Sequence, residues 1–265
     1  MIPREEWSLP CTRLGRRVLL FDSVDSTNTR AALLADNPAN DGLVLMSEEQ
    51  TAGRGQHGRS WEGQRGTAVL LSALVFPPSQ LRRPVILAAL AAVSVCETIR
   101  EAVGQQAKIK WPNDVLLRGR KVCGILIEQA RGTVIGIGLN VNQTQADFDR
   151  LQLPYAGSLS LLAGGSLDRD HVARLLIAQL DKQYDRLVQG DLTTLETAWK
   201  LQTGLLDRHV IVECHDGTRR GVLSGLGFDG LLLTDARGSS THLQPEAVKH
   251  VTALSGTRPD TWTEI

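Results

Sequence analysis

The sequence has no excess of charge, no cysteine framework and no long apolar run, and each absence excludes a class of protein. Its 29 Lys and Arg residues balance 29 Asp and Glu residues, so the molecule as a whole is not attracted to DNA or to an anionic membrane. Four scattered cysteines without a C-x-x-C pair argue against a zinc ribbon or a redox dithiol and suit a reducing cytoplasm. The apolar run over residues 84–96 is too short to span a bilayer, and the amino terminus has no secretory signal. We therefore expect a cytoplasmic protein without a membrane segment or a metal site of its own.

Apolar periodicity predicts two regions that differ in their secondary structure. The 265 residues, of which 42% are hydrophobic, can bury one large core and form a smaller second unit. Helices are predicted over residues 84–101, 171–188 and 192–201, and strands over residues 18–21, 43–46, 67–76, 108–111, 115–117, 122–128 and 133–139. This order indicates an α+β main domain over residues 1–206, with a mixed, largely antiparallel sheet flanked by helices. Short β runs with Asp-Gly turns predict a small β-barrel over residues 207–256, and the polar residues 257–265 are expected to fray.

A glycine- and arginine-rich segment, Gly-Arg-Gly-Gln-His-Gly-Arg-Ser-Trp, occupies residues 53–61. Glycine lets a chain bend close to a ligand, and arginine supplies paired donors to an anion, so the segment favours a phosphate-binding loop. It lacks the Gly-Lys-Ser/Thr of a Walker A loop, and it leads to a strand rather than opening a helix as a dinucleotide fingerprint does. An ordinary glycine turn is the alternative interpretation.

A second segment, Lys-Ile-Lys-Trp-Pro-Asn-Asp at residues 108–114, places Lys110 at the end of a short apolar strand. A lysine there commonly protects a sheet edge in solvent. The following Trp, Pro, Asn and Asp favour a rigid corner that holds the lysine stem in place. A fixed ammonium beside a phosphate loop suits carboxylate activation, where each preorganised donor contributes about 3 kcal/mol.

Two further segments have a structural interpretation that must be weighed against a role in ligand binding. Ser26 or Thr27 can cap the helix that follows, which would account for Ser-Thr-Asn at residues 26–28. Gly136 and Gly138 in a predicted strand are typical of bulges or close packing, and they would equally let a flat ring approach the strand beside Asn140.

Together with residues 121–128, these segments resemble biotin protein ligase in order and spacing over about residues 20–142, and the β-rich tail resembles the SH3-like carboxy-terminal domain of that family. The resemblance implies a class II synthetase-like catalytic domain. It also implies a two-step reaction in which biotin and MgATP form biotinoyl-5′-AMP, and biotin then passes to a lysine of a biotin carboxyl carrier protein. A homodimer is compatible with it.

The resemblance also implies roles for individual residues. Lys110 and Arg54 are the expected catalytic residues. Contacts to biotin are expected from Ser26, Thr27, Asn28, Gln50, Gly53, Arg54, Gly55, Lys110 and Gly124. Contacts to the nucleotide are expected from Arg54, Arg59, Trp61 and Asn140, while Gly53, Gly55 and Gly58 shape the loop. Gln56 stands where many relatives have arginine, His57 could replace some of that charge, and Lys249 is the nearest tail cation to a family nucleotide contact.

Three other classes of protein are weighed against this interpretation. Lipoate or octanoate ligases and transferases share the fold and the transfer to a carrier lysine. A non-catalytic nucleic-acid binder could use Arg54, Arg59 and Trp61, although neutral net charge argues against it. Residues 1–20 are too few for the winged helix of the longer, gene-repressing members, so the monofunctional type without DNA binding is expected.

Overall fold

The computed structural model describes residues 2–255 and 263–264, and within them the first region folds around an eight-stranded sheet. Its strands are β1 (Glu5–Ser8), β2 (Arg17–Phe21), β3 (Val44–Ser47), β4 (Ala68–Val75), β5 (Lys108–Lys110), β6 (Asp114–Leu117), β7 (Arg120–Gln129) and β8 (Thr133–Asn140). They lie in the order β1-β2-β3-β4-β8-β7-β6-β5. β2 and β3 pair in parallel, and the other neighbours pair antiparallel. The predicted mixed, largely antiparallel sheet is confirmed.

The helices divide the sheet into a core face and an open face. They are α1 (Thr27–Leu33), α2 (Pro84–Val103), α3 (Gln145–Arg150), α4 (Leu159–Ala163), α5 (Arg169–Val188) and α6 (Leu192–Thr203). Side chains alternate along a strand, so Ile135, Ile137 and Leu139 of β8 enter the main core with α2 and α5. Gly136 and Gly138 therefore face the other side of the sheet, where α1 packs against β3, β4 and β8.

The second region is a six-stranded antiparallel sheet in the described part of the chain. Its strands are β9 (His209–Cys214), β10 (Gly217–Gly227), β11 (Gly230–Thr234), β12 (Ser240–Leu243), β13 (Val248–Ser255) and β14 (Thr263–Glu264), in the order β12-β11-β10-β9-β13-β14. Closure into a barrel stays a prediction. Of the terminal segment expected to fray, residues 257–262 and 265 lie outside the described residues, and Thr263–Glu264 pair with β13.

An aromatic stack joins the two regions. Trp199 of α6 lies between Trp111, at a centroid distance of 5.6 Å, and Phe228 of the second sheet, at 5.2 Å. Arg83, immediately before α2, donates to Asp229 and to the Phe228 carbonyl, both at 2.7 Å. Stacked aromatic rings bury large apolar areas, so these contacts fix the second sheet beside the end of β5.

Candidate active site

The open face of the sheet has a floor of glycines on β7 and β8. Gly124 pairs with Gly138, and an ideal Cβ on Gly138 would lie 2.3 Å from Trp61 Cε2. A Cβ on Gly136 would lie 2.2 Å from Asn28 Oδ1. Side chains at these positions would displace the indole and the amide. The indole of Trp61 also lies against Gly124, where a ligand was expected to approach the strand.

The Ser-Thr-Asn segment caps α1 and also lines the smaller cavity. The Ser26 side chain caps α1, while Thr27 donates from its N and Oγ1 to Gln50 Oε1 at 2.7 and 3.0 Å. Ser72 Oγ lies 2.7 Å from Thr27 Oγ1 and 2.6 Å from Asn28 Oδ1. All but Gln50 are buried, so the helix cap also orients a row of polar groups along the floor.

The glycine loop folds back on itself as a narrow hairpin. Gly55 N donates to Arg59 O at 2.7 Å, and Trp61 N donates to Gly53 O at 3.0 Å. Gly53 must be glycine because an added Cβ would lie 2.3 Å from the Trp61 carbonyl oxygen. The hairpin therefore places its arginines and its tryptophan over the floor.

Arg54 connects this hairpin to β7. Its Nη2 donates to Glu128 Oε2 at 2.8 Å, and Asn28 Nδ2 donates to the same oxygen at 2.8 Å. The sequence pattern assigns no role to Glu128, because a carboxylate at a strand end is a common surface feature.

Lys121, and not Lys110, is the lysine that lines the smaller cavity, although Lys110 pairs with Asp114 and so lies on the same face of the sheet. Strand alternation leaves Lys110 exposed beside the buried Ile109, and Lys110 lines neither of the two cavities formed here by described residues. Lys121 Cε lies 3.5 Å from the ideal Cβ of Gly124, and its Nζ lies 2.6 Å from Asp114 Oδ1. Residues 111–114 of the predicted corner line the smaller cavity, but the ammonium in that cavity comes from β7.

A β-bulge explains how Lys121 reaches this face. Cys123 pairs with Val115 whereas Lys121 pairs with Leu116, so two steps on β7 match one step on β6. An extra residue reverses the alternation, which puts Lys121 on the same face as Gly124. Val122 and Cys123 both turn into the core, and burial raises the pKa of the Cys123 thiol well above its usual range.

Two adjoining cavities lie over the floor. The smaller, about 120 Å³, is lined mainly by residues 26–28, 111–114, 124–126 and 136–138, with Gln50, Trp61 and Lys121. The larger, about 600 Å³, extends from residues 126–128 to residues 245–246 and 248–249 of the second region. Both share the residues Arg54, Gly55, Gln56, Arg59, Trp111, Pro112, Asn113 and Leu126.

The structure thus brings most of the predicted residues to the two cavities and leaves three outside them, namely Lys110, Gly53 and Asn140. Gly53 supports the hairpin without lining either cavity. Asn140 is buried, donates to Gly157 O at 3.0 Å and accepts from Gln143 Nε2 at 2.9 Å, so its amide serves the fold. Its contact with a nucleotide stays a prediction, as does that of Lys249, which lines the larger cavity. The His57 side chain lies outside the description.

Glu48 supports the turn that presents Gln50. Arg169 of α5 donates to both carboxylate oxygens of Glu48, and Arg4 donates to Oε1 at 3.0 Å. The hydrogen bond from Arg169 holds the pKa of Glu48 below its usual value of 4.5. This ion pair ties the open face to the helix layer.

Neither a metal cluster nor a membrane helix occurs in the described ranges. No three His, Cys, Asp or Glu side chains converge there to hold a metal ion. None of the helices described has the length and apolarity needed to cross a bilayer.

Several known proteins resemble this chain in sequence. The model of the biotin/lipoate A/B protein ligase family matches residues 20–142. A biotin–[acetyl-CoA-carboxylase] ligase of Mycobacterium tuberculosis is 36% identical over 263 residues, covering 94% of this chain and 96% of that protein. The bifunctional ligase/repressor BirA of Bacillus subtilis is 35% identical over 228 residues, covering 84% of this chain and 70% of that protein.

A solved structure agrees with the sequence relatives. The biotin protein ligase of Aquifex aeolicus in complex with biotin and ATP superposes with a TM-score of 0.75 at 25% identity, covering 89% of this chain and 98% of that one. Identity above one third along nearly the whole of a relative, together with this shared architecture, shows that the chain belongs to the biotin protein ligase family.

Proposed function

We propose that this chain activates biotin with MgATP to biotinoyl-5′-AMP and transfers biotin to a lysine of a biotin carboxyl carrier protein. One observation carries the proposal: the polar floor, the cationic hairpin and a lysine share one pair of adjoining cavities. The names of the relatives and the ligands of the Aquifex aeolicus structure support it.

The smaller cavity suits the uncharged ring system of biotin. The side chains of Thr27, Asn28 and Gln50 offer hydroxyl and amide groups there, which fit an acceptor and donor pair such as a ureido group. Trp61 Nε1 is buried and has no hydrogen-bond partner among the described residues. A buried unpaired donor is costly, so an acceptor on a bound ligand would satisfy it.

The larger cavity suits the nucleotide. Arg54 and Arg59 line it from the hairpin, and Lys249 lines it from the second region. Guanidinium groups bind phosphate oxygens with paired, charge-assisted hydrogen bonds. Magnesium enters with the triphosphate as part of the substrate.

Lys121 is the group we assign to the reacting atoms. A carboxylate oxygen of biotin bonds to the α-phosphorus, and the bond from that phosphorus to the pyrophosphate oxygen breaks. Both groups are anionic, so an ammonium between them lowers the barrier. Asp114, 2.6 Å from Lys121 Nζ, orients this ammonium. The carrier amine then bonds to the biotinoyl carbon and loses a proton to solvent, and AMP leaves as the bond from that carbon to its phosphate oxygen breaks.

The remaining proposals concern the cellular location of the enzyme, its carrier protein and its oligomeric state. The four cysteines, all within the described residues, are free thiols, which supports a cytoplasmic location. The carrier would be the biotin domain of a carboxylase, as the names of the relatives indicate. The monofunctional type and a homodimer stay predictions.

Purified protein incubated with ATP, a carrier domain and either biotin or lipoate tests the proposal. We expect biotin-dependent ATP–pyrophosphate exchange and a carrier lysine labelled with biotin. Labelling with lipoate alone would contradict it and favour the other branch of the matched family.

Two lysine variants test the assignment within the site. Lys121→Gln should lower biotin-dependent exchange by roughly 100- to 1,000-fold, as expected for one lost electrostatic donor. Lys110→Gln should lower it far less, and Lys108→Gln, on the same exposed side of β5, serves as the matched control. A larger loss for Lys110→Gln than for Lys121→Gln would contradict this assignment and support the catalytic role of Lys110 that was predicted from the sequence.

A further inference from the structure

Glu128 occupies a junction between the two halves of the site. It follows Gly124 and Leu126 on the open face of β7, where alternate residues share a side. One of its oxygens, Oε2, accepts from both Arg54 Nη2 and Asn28 Nδ2 at 2.8 Å. The carboxylate also lines the larger cavity, so it stands where a nucleotide is expected.

We propose that Glu128 is a positioning residue that holds Arg54 until the phosphates of a nucleotide displace it. This inference rests on the proposed function, because it assigns the larger cavity to a nucleotide. A guanidinium binds a carboxylate and a phosphate through the same hydrogen-bond donors, so the two anions compete for Arg54. Glu128 therefore acts on the nucleotide through Arg54.

The exposure of the pair makes such an exchange feasible. The side chains of Arg54 and Glu128 are 46% and 36% exposed, so water screens their attraction. An exposed ion pair typically shifts an equilibrium by a factor of no more than about five. The pair is strong enough to orient the hairpin, and weak enough for a phosphate group to replace the carboxylate.

Asn28 keeps Glu128 in place when Arg54 moves. Its Nδ2 holds the carboxylate, while its Oδ1 lies 2.6 Å from Ser72 Oγ on the buried floor. The substitution Glu128→Gln preserves the shape and an oxygen that accepts from Asn28, and it removes the charge that retains Arg54. The variant therefore tests the charge of Glu128 without changing how its side chain packs.

Calorimetric titration with ADP and with adenosine measures the competition. We expect Glu128→Gln to bind ADP about 2- to 5-fold more tightly than the unmodified protein, because Arg54 no longer has to leave a carboxylate. Adenosine, which has no phosphate, should bind equally to both. A purely structural role for Glu128 predicts weaker binding of both ligands.

Two further variants separate exchange at Arg54 from other causes. Glu6→Gln removes an ion pair of similar exposure, between Glu6 and Arg17, from the β1–β2 edge and should leave the affinity for ADP unchanged. In an Arg54→Gln background, Glu128→Gln should give no gain, whereas direct repulsion between Glu128 and the phosphates would still give one.

Three results would overturn the inference: unchanged or weaker ADP binding by Glu128→Gln, an equal gain for adenosine, or a gain that persists without Arg54. The proposed function fails by a different measurement, namely the absence of biotin-dependent pyrophosphate exchange in the unmodified protein. The ADP comparison measures binding alone, so the two failures are distinguishable.

Discussion

Substituting Gly138 by alanine tests the contact between the hairpin and the floor. The added Cβ would lie 2.3 Å from Trp61 Cε2, whereas carbon atoms in contact normally lie about 3.5–4.0 Å apart. The indole must therefore move by about 1 Å or leave the floor. Overpacking of a folded site costs ~1–3 kcal/mol, and losing burial of about 100 Å² of the indole costs ~2.5 kcal/mol. Both routes predict a loss of about 2 kcal/mol in the free energy of unfolding.

Urea unfolding of a double-mutant cycle measures this contact. Gly138→Ala alone should show the full loss, whereas adding it to Trp61→Ala should cost little, because the methyl group then has room. Gly165→Ala is the matched control, since a Cβ there has no neighbour within 4 Å. Exchange of pyrophosphate should fall roughly ten- to a hundred-fold in Gly138→Ala, because displaced groups no longer align. Stability unchanged by Gly138→Ala, or additive losses in the cycle, would refute the contact.

Two other predictions concern the support of the site. Glu48 has a lowered pKa in the folded protein, so its ion pair with Arg169 stabilises fully above pH 4.5 and is lost as the pH falls through the lowered pKa. Glu48→Gln should thus lower the free energy of unfolding by about 1–2 kcal/mol at pH 7 and by progressively less in acid. A difference in urea unfolding that does not depend on pH would contradict this. Trp199→Ala should lower the free energy of unfolding by ~3–5 kcal/mol, because it removes the ring between Trp111 and Phe228. A loss below about 1 kcal/mol in the same assay would exclude the stack as the main contact between the two regions.

Most of the elements followed from local sequence patterns. The strands from β2 to β8 and the helices α2, α5 and α6 lie within a few residues of their predicted positions, because alternation and helical periodicity are properties of neighbouring residues. β1 was missed because Glu5–Ser8 has one apolar residue, the buried Trp7, and no alternation can be recognised in it. The short helices α3 and α4 were missed because five or six residues hardly complete a turn and a half.

The choice between the two lysines required the tertiary structure. Nothing in the sequence marks the bulge on β7, because a bulge depends on how β6 and β7 pair. Without it, alternation would place Lys121 and Gly124 on opposite faces. The amide of Asn140 likewise suits ligand binding, but it forms hydrogen bonds with Gln143 and Gly157, which fold beside it.

The sequence by itself determined the family, the order of the elements and the chemical inventory of the site, since these depend on residue types and their spacing along the chain. The tertiary structure alone decided which groups meet. It put Lys121 in the cavity instead of Lys110, joined Arg54 to Glu128 across 74 positions of sequence, and brought Lys249 from the second region to the larger cavity. Such contacts depend on strand register and packing between distant segments, and no local pattern encodes them.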